Sequence, residues 1–393
     1  MDCHAREIIR SIRRTIVRIA AAVILIAPVA AAETNEAEKA KPSATERAAR
    51  FLDQLRASTG TPAVSGAVAA GGKIVFSGGS GLMDVQKSLP AAGTTVYNIG
   101  SLSKAVTAVA VMQLFEQKRI GLDDDIRKYV PSFPDKGATI TIRQLLTHTS
   151  GIRHYHDTDF PGTPDNENVQ PLTWEQGLGI FSNDALLFPP GKYFFYTSYG
   201  VNLLQGVVEK ASGMPFEQHV NENVFRPAGM TTAGFDIPGL AVQNRAQSYR
   251  MVKGKPVVYY YNDLRYKFAS GGMIASVEDL VKLGTALNHG LLIEAATRQL
   301  MLSSQAKGQL EFHEGSKPGR MSWMQGMLWR LRHDPKGRLV AYECGSIKGS
   351  NACLVDFLEE DLVAAVATNS WECCGWAKAD ALAAIFRPES KQN

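Results

Sequence analysis

A hydroxyl and an amine stand three residues apart in the first third of the chain, where a helix is predicted to begin. Ser101 and Lys104 form this Ser-x-x-Lys pair, and the apolar spacing that follows predicts a helix from Ser101 to about Lys118. Side chains three residues apart lie on one helix face. A serine at a helix start is close to backbone N–H groups able to hold an oxyanion, and a lysine with a lowered pKa is able to take the serine proton. The pair is therefore a candidate nucleophile and base, with a plain helix N-cap as the alternative interpretation.

A second group with proton chemistry stands in a turn before another predicted helix. Tyr196 and Ser198 are two residues apart and lead into the apolar pattern of Tyr199–Ala211. A phenol beside a lysine is able to shuttle protons, although a tyrosine in this setting equally serves as core. A further Ser-x-x-Lys, at Ser304 and Lys307, runs into a polar loop with no apolar helix behind it, so we interpret it as chance.

Strands at both ends of the chain and helices between them are predicted to position these groups. The predicted strands are Ala63–Ala70, Lys73–Ser77, Gln325–Leu331, Arg338–Glu343, Ala352–Phe357 and Leu362–Thr368. The further predicted helices are Thr45–Ser58, Ile142–Thr147, Val277–Leu287 and Ala377–Phe386. This order favours an α+β fold, with one antiparallel sheet built from both chain ends, flanking helices and an inserted, mostly helical lobe.

The first 32 residues are predicted to be a signal peptide. Five arginines precede an apolar run from Ile19 to Ala32 that ends in small residues. Arg13 and Arg14 also fit the twin-arginine pattern loosely, which leaves the Sec and Tat routes both open. We expect an exported protein, periplasmic or secreted, with a mitochondrial presequence or an uncleaved membrane anchor as alternatives. No later segment is long and apolar enough to span a membrane, so no span is expected after signal removal.

A linker and one folded domain are predicted to follow the signal peptide. The linker is placed at 33–48 and the domain at 49–388, with a sheet lobe of about 49–100 and 321–388 and a helical lobe of about 101–320.

Composition and charge exclude several classes of protein. Of the 393 residues 45% are hydrophobic and 20% are charged, which excludes a disordered or collagen-like chain. The formal net charge is +4, and residues 1–32, with five arginines against Asp2 and Glu7, carry most of it. The folded part is therefore nearly neutral, and we expect no nucleic-acid partner. The expected partner is a small-molecule or peptide substrate, and the oligomeric state stays open.

The cysteines are concentrated near the carboxyl end. Cys344 and Cys353 flank a predicted hairpin, and they stand opposite each other if its turn is centred between Lys348 and Gly349. A cross-strand disulfide is then possible in an oxidising compartment, and two buried thiols are the alternative. Cys373 and Cys374 complete an even number after the predicted leader.

Four motifs in this order resemble one family. They are Ser101-x-x-Lys104, Leu145-Leu146-Thr147-His148-Thr149-Ser150-Gly151, Tyr196-x-Ser198, and Gly271-Gly272-Met273-Ile274-Ala275-Ser276 followed by Asp279-Leu280. The set resembles the class-C-like β-lactamase and penicillin-binding-protein-related serine hydrolases. Within them it is most similar to the serine β-lactamase-like mitochondrial proteins and their bacterial relatives. The resemblance spans about residues 50–386 and implies a β-lactamase/transpeptidase-like fold and acyl-enzyme chemistry without a cofactor or metal.

The resemblance also implies a role for each matching residue. Ser101 would be the acylated nucleophile, Lys104 its base partner, and Tyr196 the shuttle between nucleophile, leaving group and water. Ser198 would orient Lys104 and the substrate. The backbone N–H groups of Ser101 and Ser346 would form the oxyanion hole. His148, Thr149 and Gly151 would be structural, and Asn369 is a weaker candidate for the cleft.

One family position is changed in this chain. The cleft strand of the family carries a basic residue, then Thr or Ser, then Gly, and here Glu343, Cys344 and Gly345 stand there. Glu343 would repel a substrate carboxylate, which favours a peptidase or esterase over a β-lactamase or DD-carboxypeptidase, the first alternative. Glu343 pointing away, or Lys348 or an arginine supplying the charge, is the other interpretation.

Other classes are weighed on their own residues. His154 and His156 on one loop suggest a metallohydrolase, but the following Asp157 does not fit the usual binuclear pattern. An α/β-hydrolase needs a Gly-x-Ser-x-Gly elbow, and the chain has none. A non-catalytic binding or filament-forming protein on the same fold is the second alternative.

Overall fold

The computed structural model describes residues 42–156, 159, 173–259, 263–305, 310–371 and 375–387. The predicted signal peptide, the linker up to residue 41, Lys307, Cys373 and Cys374 lie outside these residues. The α-helices are α1 (Ala44–Thr59), α2 (Ser103–Glu116), α3 (Ile142–Leu146), α4 (Trp174–Leu178), α5 (Ser198–Ser212), α6 (Phe216–Val220), α7 (Phe268–Gly271), α8 (Val277–Asn288), α9 (Ala295–Met301) and α10 (Trp376–Ala384).

Strands lie near both ends of the described chain, and short strands also occur in its middle. They are β1 (Ala63–Ala70), β2 (Lys73–Asp84), β3 (Leu89–Pro90), β4 (Val96–Asn98), β5 (Gly234–Phe235), β6 (Tyr249–Val252), β7 (Lys255–Val258), β8 (Met273–Ser276), β9 (Leu310–Glu311), β10 (Gly319–Arg320), β11 (Met324–Gln325), β12 (Arg330–His333), β13 (Leu339–Ile347), β14 (Ser350–Phe357) and β15 (Leu362–Thr368).

An antiparallel sheet joins the two ends of the described chain. Its strand order is β11-β12-β13-β14-β15-β1-β2-β3, and β1 pairs with β15 from Val64 opposite Thr368 to Ala70 opposite Leu362. Every residue of β15 is buried, because helices cover both sheet faces. The prediction of one antiparallel sheet built from both chain ends is confirmed.

Two apolar cores lie on opposite faces of this sheet. Leu52 of α1 and Leu382 of α10 pack against one face. Val109 of α2 and Leu283 of α8 belong to the larger core on the other face, which the helices of the middle segment complete. The sheet thus separates a two-helix layer from the helical lobe that carries the Ser-x-x-Lys pair.

The structure contains both hairpins that the sequence predicts. Gly71 and Gly72 turn between β1 and β2 with φ of 56° and 76°, a region open to glycine at little cost. In the second hairpin Ile347 pairs with Ser350, so the turn is centred between Lys348 and Gly349. Both predicted turns are confirmed.

The second hairpin also places its two cysteines directly opposite each other. Cys344 of β13 and Cys353 of β14 share one register position and form a disulfide, with Cα atoms 4.1 Å apart. Of the two alternatives the sequence left open, the structure shows the cross-strand disulfide, which joins β13 and β14 covalently next to Gly345.

The strand predicted over Gln325–Leu331 is wrong. The chain turns there between β11 and β12: Gly326 N–H donates to Trp329 O at 2.9 Å, and Leu328 N–H donates to Leu146 O at 2.7 Å with φ of 57°. The apolar residues at this turn are buried by tertiary packing. In the sequence, a short apolar run of this kind cannot be distinguished from a buried strand. The break matters because Arg330 begins β12 at this point.

No helix among the residues that the structure describes is long and apolar enough to cross a bilayer.

Candidate active site

Ser101 lies in a short 3₁₀ turn, Gly100–Leu102, that leads into α2. Gly100 has φ of +50°, and its N–H donates to Asn98 Oδ1 at 2.8 Å. A Cβ at this position would come 2.8 Å from Ser346 N, so a side chain is excluded by both backbone conformation and space. The turn therefore holds Ser101 tightly against β13.

The Gly-Gly-Met segment of the fourth motif braces the same turn. Its Met273 begins β8, which pairs with β4 directly before the turn, and Ile99 N–H donates to Met273 O at 3.0 Å. Ser103 Oγ donates to Gly100 O at 2.7 Å and accepts from Met273 N–H at 3.2 Å. The motif thus holds the turn that carries Ser101 in place.

Two side chains converge on the hydroxyl of Ser101, one from three residues along the chain and one from 95 residues away. Lys104 Nζ donates to Ser101 Oγ at 3.0 Å, and Tyr196 OH donates to the same oxygen at 2.7 Å. Lys104 is 1% exposed and also donates to Ser270 O at 2.7 Å. Ser101 and Tyr196 are partly exposed. Ser101 is thus partly open to solvent, while the lysine beside it is buried.

The surroundings of Lys104 lower the pKa of its amine to about 7. Burial is the main cause, because it disfavours the charged form. Tyr155 and Glu343 act in the opposite direction, and the positive charges of Lys267 and Arg330 lower the value further. At neutral pH a large share of Lys104 is therefore uncharged and able to accept a proton from Ser101.

The pKa of Tyr196 is raised, in contrast to that of Lys104. Burial and the charge of Glu343 raise the pKa of its phenol to about 12, while hydrogen bonding by Ser101 and Ser198 and the charge of Arg330 lower it in part. Tyr196 therefore keeps its proton at neutral pH and is a donor beside a neutral lysine.

The second motif forms the surface on which Tyr196 rests. His148 has φ of 57°, its O accepts from Phe195 N–H at 2.8 Å, and its Nδ1 accepts from Thr197 N–H at 3.3 Å. Its ring centroid lies 4.7 Å from that of Tyr196. Burial, helped by Lys104 and Arg330, lowers the pKa of His148 well below its usual value. His148 is thus a neutral positioning group.

Ser198 begins α5 and is buried, and its N–H donates to His154 Nδ1 at 3.1 Å. Burial and the nearby Lys104 lower the pKa of His154 to about 3. One of the two ring nitrogens of His154, Nδ1, is therefore occupied by a backbone donor. Among the described residues no group of three His, Cys, Asp or Glu side chains is arranged to hold a metal ion.

β13 packs directly against the turn that carries Ser101. A Cβ on Gly345 would lie 1.8 Å from Ile99 O and 2.6 Å from Ser101 N. Only glycine allows this approach, which sets the backbone of Gly345 and Ser346 beside that of Gly100 and Ser101. The predicted pair of oxyanion N–H groups therefore lies on adjoining backbone segments.

Glu343 precedes this contact on the same strand and is 3% exposed. Its Oε1 lies 3.7 Å from Arg330 Nη1, and the guanidinium carbon of Arg330 lies 5.7 Å from the centroid of the Tyr196 ring. Burial raises the pKa of Glu343, while Arg330 and Lys104 lower it in part. The carboxylate expected to face substrate is therefore covered and paired with an arginine.

Sequence reasoning did not find Arg330, Lys267 or Tyr155. Lys267 lies over the Tyr155 ring at 5.1 Å, and although burial opposes its charge, the tyrosines beside it raise its pKa. No local pattern marks these residues, because each reaches the site through tertiary packing. Conversely, Asn369 is away from the cleft: its Oδ1 accepts from Ala63 N–H at 2.8 Å and its Nδ2 donates to Leu82 O at 3.2 Å.

Comparison with known proteins finds the same family that the sequence motifs resemble. A family model described as Beta-lactamase matches residues 48–383. The human mitochondrial serine beta-lactamase-like protein LACTB is 30% identical over 312 residues, which cover 63% of this chain and 57% of that protein. The chain thus spans little more than half the length of this curated relative.

Solved structures share the fold. The octameric penicillin-binding protein homologue from Pyrococcus abyssi superposes with a TM-score of 0.73 at 25% identity, covering 86% of this chain and 76% of that one. EstCE1, a hydrolase with promiscuous acyltransferase activity, gives a TM-score of 0.72 at 21% identity, over 87% and 98% of the two chains. The expected β-lactamase/transpeptidase-like fold is confirmed, and the chain belongs to the beta-lactamase family of serine hydrolases.

Proposed function

We propose that this protein hydrolyses amide or ester bonds through an acyl-enzyme on Ser101, as a peptidase or esterase. The observation that carries the proposal is the single hydroxyl that Lys104 and Tyr196 both contact, at 3.0 and 2.7 Å. A neutral lysine and a protonated phenol on one serine oxygen provide a base and an acid for one reaction cycle.

In the first half of the cycle, neutral Lys104 accepts the Ser101 proton while Oγ attacks the carbonyl carbon. The bond to the leaving group then breaks, and Tyr196 gives its proton to the departing nitrogen or oxygen. Lys104 then passes the serine proton to Tyr196, so the net result is the transfer of one proton from Ser101 to the leaving group. In the second half, water attacks the ester and its proton returns to Ser101 along the same two groups.

The backbone at β13 supports this cycle. The N–H groups of Ser101 and Ser346 lie on segments that Gly100 and Gly345 bring into contact, and these donors would stabilise the oxyanion of each tetrahedral intermediate. Such donors are fixed before the reaction and need no reorganisation during it.

A free strand edge favours extended, peptide-like substrates. β12 pairs with β13 only as far as Tyr342, so from Glu343 to Ile347 the strand has a paired neighbour on one side alone within the described residues. An extended chain laid along that edge would gain backbone hydrogen bonds next to Ser101.

We also propose that the protein is exported, on the basis of its Arg-rich, apolar leader. The disulfide between Cys344 and Cys353 supports an oxidising compartment.

The decisive experiment is active-site labelling of the mature protein with a fluorophosphonate probe. We expect one covalent adduct on Ser101 and none in Ser101→Ala. The same pair of proteins is then assayed on amino-acid p-nitroanilides, short-chain p-nitrophenyl esters, nitrocefin and a D-Ala-D-Ala peptide, with and without EDTA. Equal labelling of the two proteins, or activity lost to EDTA and restored by zinc, would overturn the proposal.

A further inference from the structure

We propose that the disulfide between Cys344 and Cys353 is a positioning element of the proposed reaction, because it holds β13 against the turn that carries Ser101. The backbone N–H of Ser346 on β13 is one of the two groups assigned to the oxyanion hole. The inference rests on the proposed acyl-enzyme function of Ser101 and adds to it the pair of residues that keeps this donor in place. The cysteines act through the backbone of β13 and do not contact the substrate.

The first step is that the part of β13 next to Ser101 is held along one edge only. β12 pairs with β13 over residues 339–342, and within the described residues the segment 343–347 pairs with β14 alone. A segment with fewer backbone hydrogen bonds opens and shifts at a lower free-energy cost. The position of Ser346 therefore depends on how firmly β13 is joined to β14.

The second step is the place of the disulfide within this segment. Cys344 comes directly before Gly345, and it pairs in register with Cys353 of β14. Successive side chains of a strand point to opposite faces of the sheet. The position of Gly345 faces the Ser101 turn, whereas Cys344 packs against the core formed with α1 and α10. The disulfide therefore braces β13 from the face opposite to Ser101 and leaves the site open.

The third step is the close approach of two backbone segments. A Cβ on Gly345 would lie 2.6 Å from Ser101 N, and a Cβ on Gly100 would lie 2.8 Å from Ser346 N. Backbone packs directly on backbone here, so no side chain is able to compensate for a shift of β13. A misplacement of about 1 Å in a catalytic group costs on the order of 10²-fold in rate. A small displacement of β13 is therefore enough to weaken the oxyanion contact.

The fourth step is that β14, unlike this part of β13, is held along both edges. All eight residues of β14 are buried, and β15 pairs with it on the edge away from β13. Ser350 at its start donates from Oγ to Asn98 O at 2.8 Å, and Asn98 Oδ1 accepts from Gly100 N–H at 2.8 Å. β14 is thus bonded to the segment that leads into Ser101. The disulfide joins β13 covalently to this fixed strand.

The test compares the oxidised and the reduced protein on one short-chain p-nitrophenyl ester. Dithiothreitol donates two electrons and two protons, so that the S–S bond breaks, both cysteines become thiols and the reagent closes to a cyclic disulfide. Excess reagent is removed before the assay, which is run at a temperature where circular dichroism shows both forms folded. We expect reduction to lower kcat by roughly 10- to 100-fold with little change in KM, because oxyanion donors act mainly in the transition state. Reoxidation should restore the rate.

Two variants separate positioning from stability. Cys344→Ala/Cys353→Ala lacks the cross-link and buries no new polar group, and it should have the kcat of the reduced wild type before and after dithiothreitol. Val340→Ala is the matched control. Val340 is buried at the far end of the same strand pair, opposite Phe357, so this variant should lower the Tm while keeping the wild-type kcat. An equal fall of kcat in Val340→Ala would overturn the inference, since loss of hairpin stability alone would then slow the reaction.

Inhibitor binding separates this inference from the proposed function. Ser101 Oγ would bond to the boron of phenylboronic acid, with the serine proton passing to Lys104, and the tetrahedral adduct would place one oxygen among the oxyanion donors. Reduction should therefore weaken inhibition by about the factor lost in kcat. Equal kcat or equal inhibition in the two forms, with both thiols alkylated in the reduced form, would overturn the inference while leaving Ser101 as the nucleophile. If the fluorophosphonate labels Ser101 in neither form, the proposed function is wrong and this inference falls with it.

Discussion

At the scale of single residues, the site is an arrangement of opposed pKa shifts around one hydroxyl. Burial lowers the pKa of Lys104 to about 7 and raises that of Tyr196 to about 12. Two groups that would both be protonated in water therefore divide into a base and an acid at neutral pH. This division gives the Ser-x-x-Lys pair a chemistry that an ordinary N-cap serine lacks.

Removing either proton carrier should disable turnover while leaving the fold intact. We expect Tyr196→Phe to lower kcat by on the order of 10² to 10⁴, the range for a lost proton-transfer group. Lys104→Ala should cost at least as much. Since the two act on one oxygen, the double variant should be little worse than the worse single variant. Steady-state kinetics on one ester substrate measure this, and fully additive losses in the double variant would show that the two residues act independently.

The pH dependence of kcat/KM should follow Lys104. Activity requires its neutral form, so the rate should rise with pH through about 7 and then level off, because Tyr196 loses its proton only near 12. Glu343 and Tyr155 stabilise the charged amine, whereas Lys267 and Arg330 disfavour it. Glu343→Gln should therefore move the acidic limb to lower pH, as measured in a pH–rate profile from 5 to 10. If the acidic limb of the Glu343→Gln profile stays at the same pH or moves to higher pH, this account is contradicted.

At the scale of elements, the features that sequence could predict are those set by local signals. The β1–β2 and β13–β14 turns follow from glycines placed between alternating apolar runs, and the second turn fixed the register of Cys344 and Cys353. The 3₁₀ turn at Ser101 and the break between β11 and β12 depend instead on long-range contacts, such as Leu328 N–H with Leu146 O. Arg330 was missed for the same reason, since its place beside Tyr196 depends on where β12 begins.

The disulfide should stabilise the β13–β14 hairpin and with it the strand that meets Ser101. Its cysteines are nine residues apart, and a loop of this length predicts a stabilisation of roughly 2–3 kcal/mol from restriction of the unfolded chain. We expect dithiothreitol to lower the Tm of the wild type and to leave that of Cys344→Ser/Cys353→Ser unchanged. Peptide mapping under non-reducing conditions provides the direct check. Recovery of both thiols alkylated after denaturation without reductant would reject the pairing.

At the scale of the whole molecule, a buried aspartate lies between the sheet and the helical lobe and has no role in the proposed reaction. Asp356 of β14 is 1% exposed, and its Oδ1 accepts from Asn288 Nδ2 of α8 at 2.8 Å. Burial raises the pKa of Asp356 to about 7, against the opposing effect of Asn288. Folding thus keeps a proton on this group that the unfolded chain releases near pH 4.

Asp356 should make the folded state less stable as pH rises. Its contribution is fully present below about pH 4 and is lost as pH increases through about 7, since the folded pKa lies above the unfolded one. Asp356→Asn keeps the acceptor for Asn288 but cannot ionise, so its advantage over the wild type should grow by roughly 2–3 kcal/mol between pH 5 and pH 8. Asp334→Asn is the control, because the pKa of Asp334 is lowered and not raised. Hydrogen bonds from Arg338 lower it to about 2. Asp334 is therefore ionised throughout this pH range, and the effect of its substitution on stability should be the same at pH 5 and pH 8. Urea unfolding of the three proteins at pH 5 and pH 8 measures the differences. If Asp356→Asn and the wild type change in parallel over this range, the carboxyl at the junction of sheet and helical lobe is ionised in the folded state at pH 5, and the burial of Asp356 does not govern how stability depends on pH.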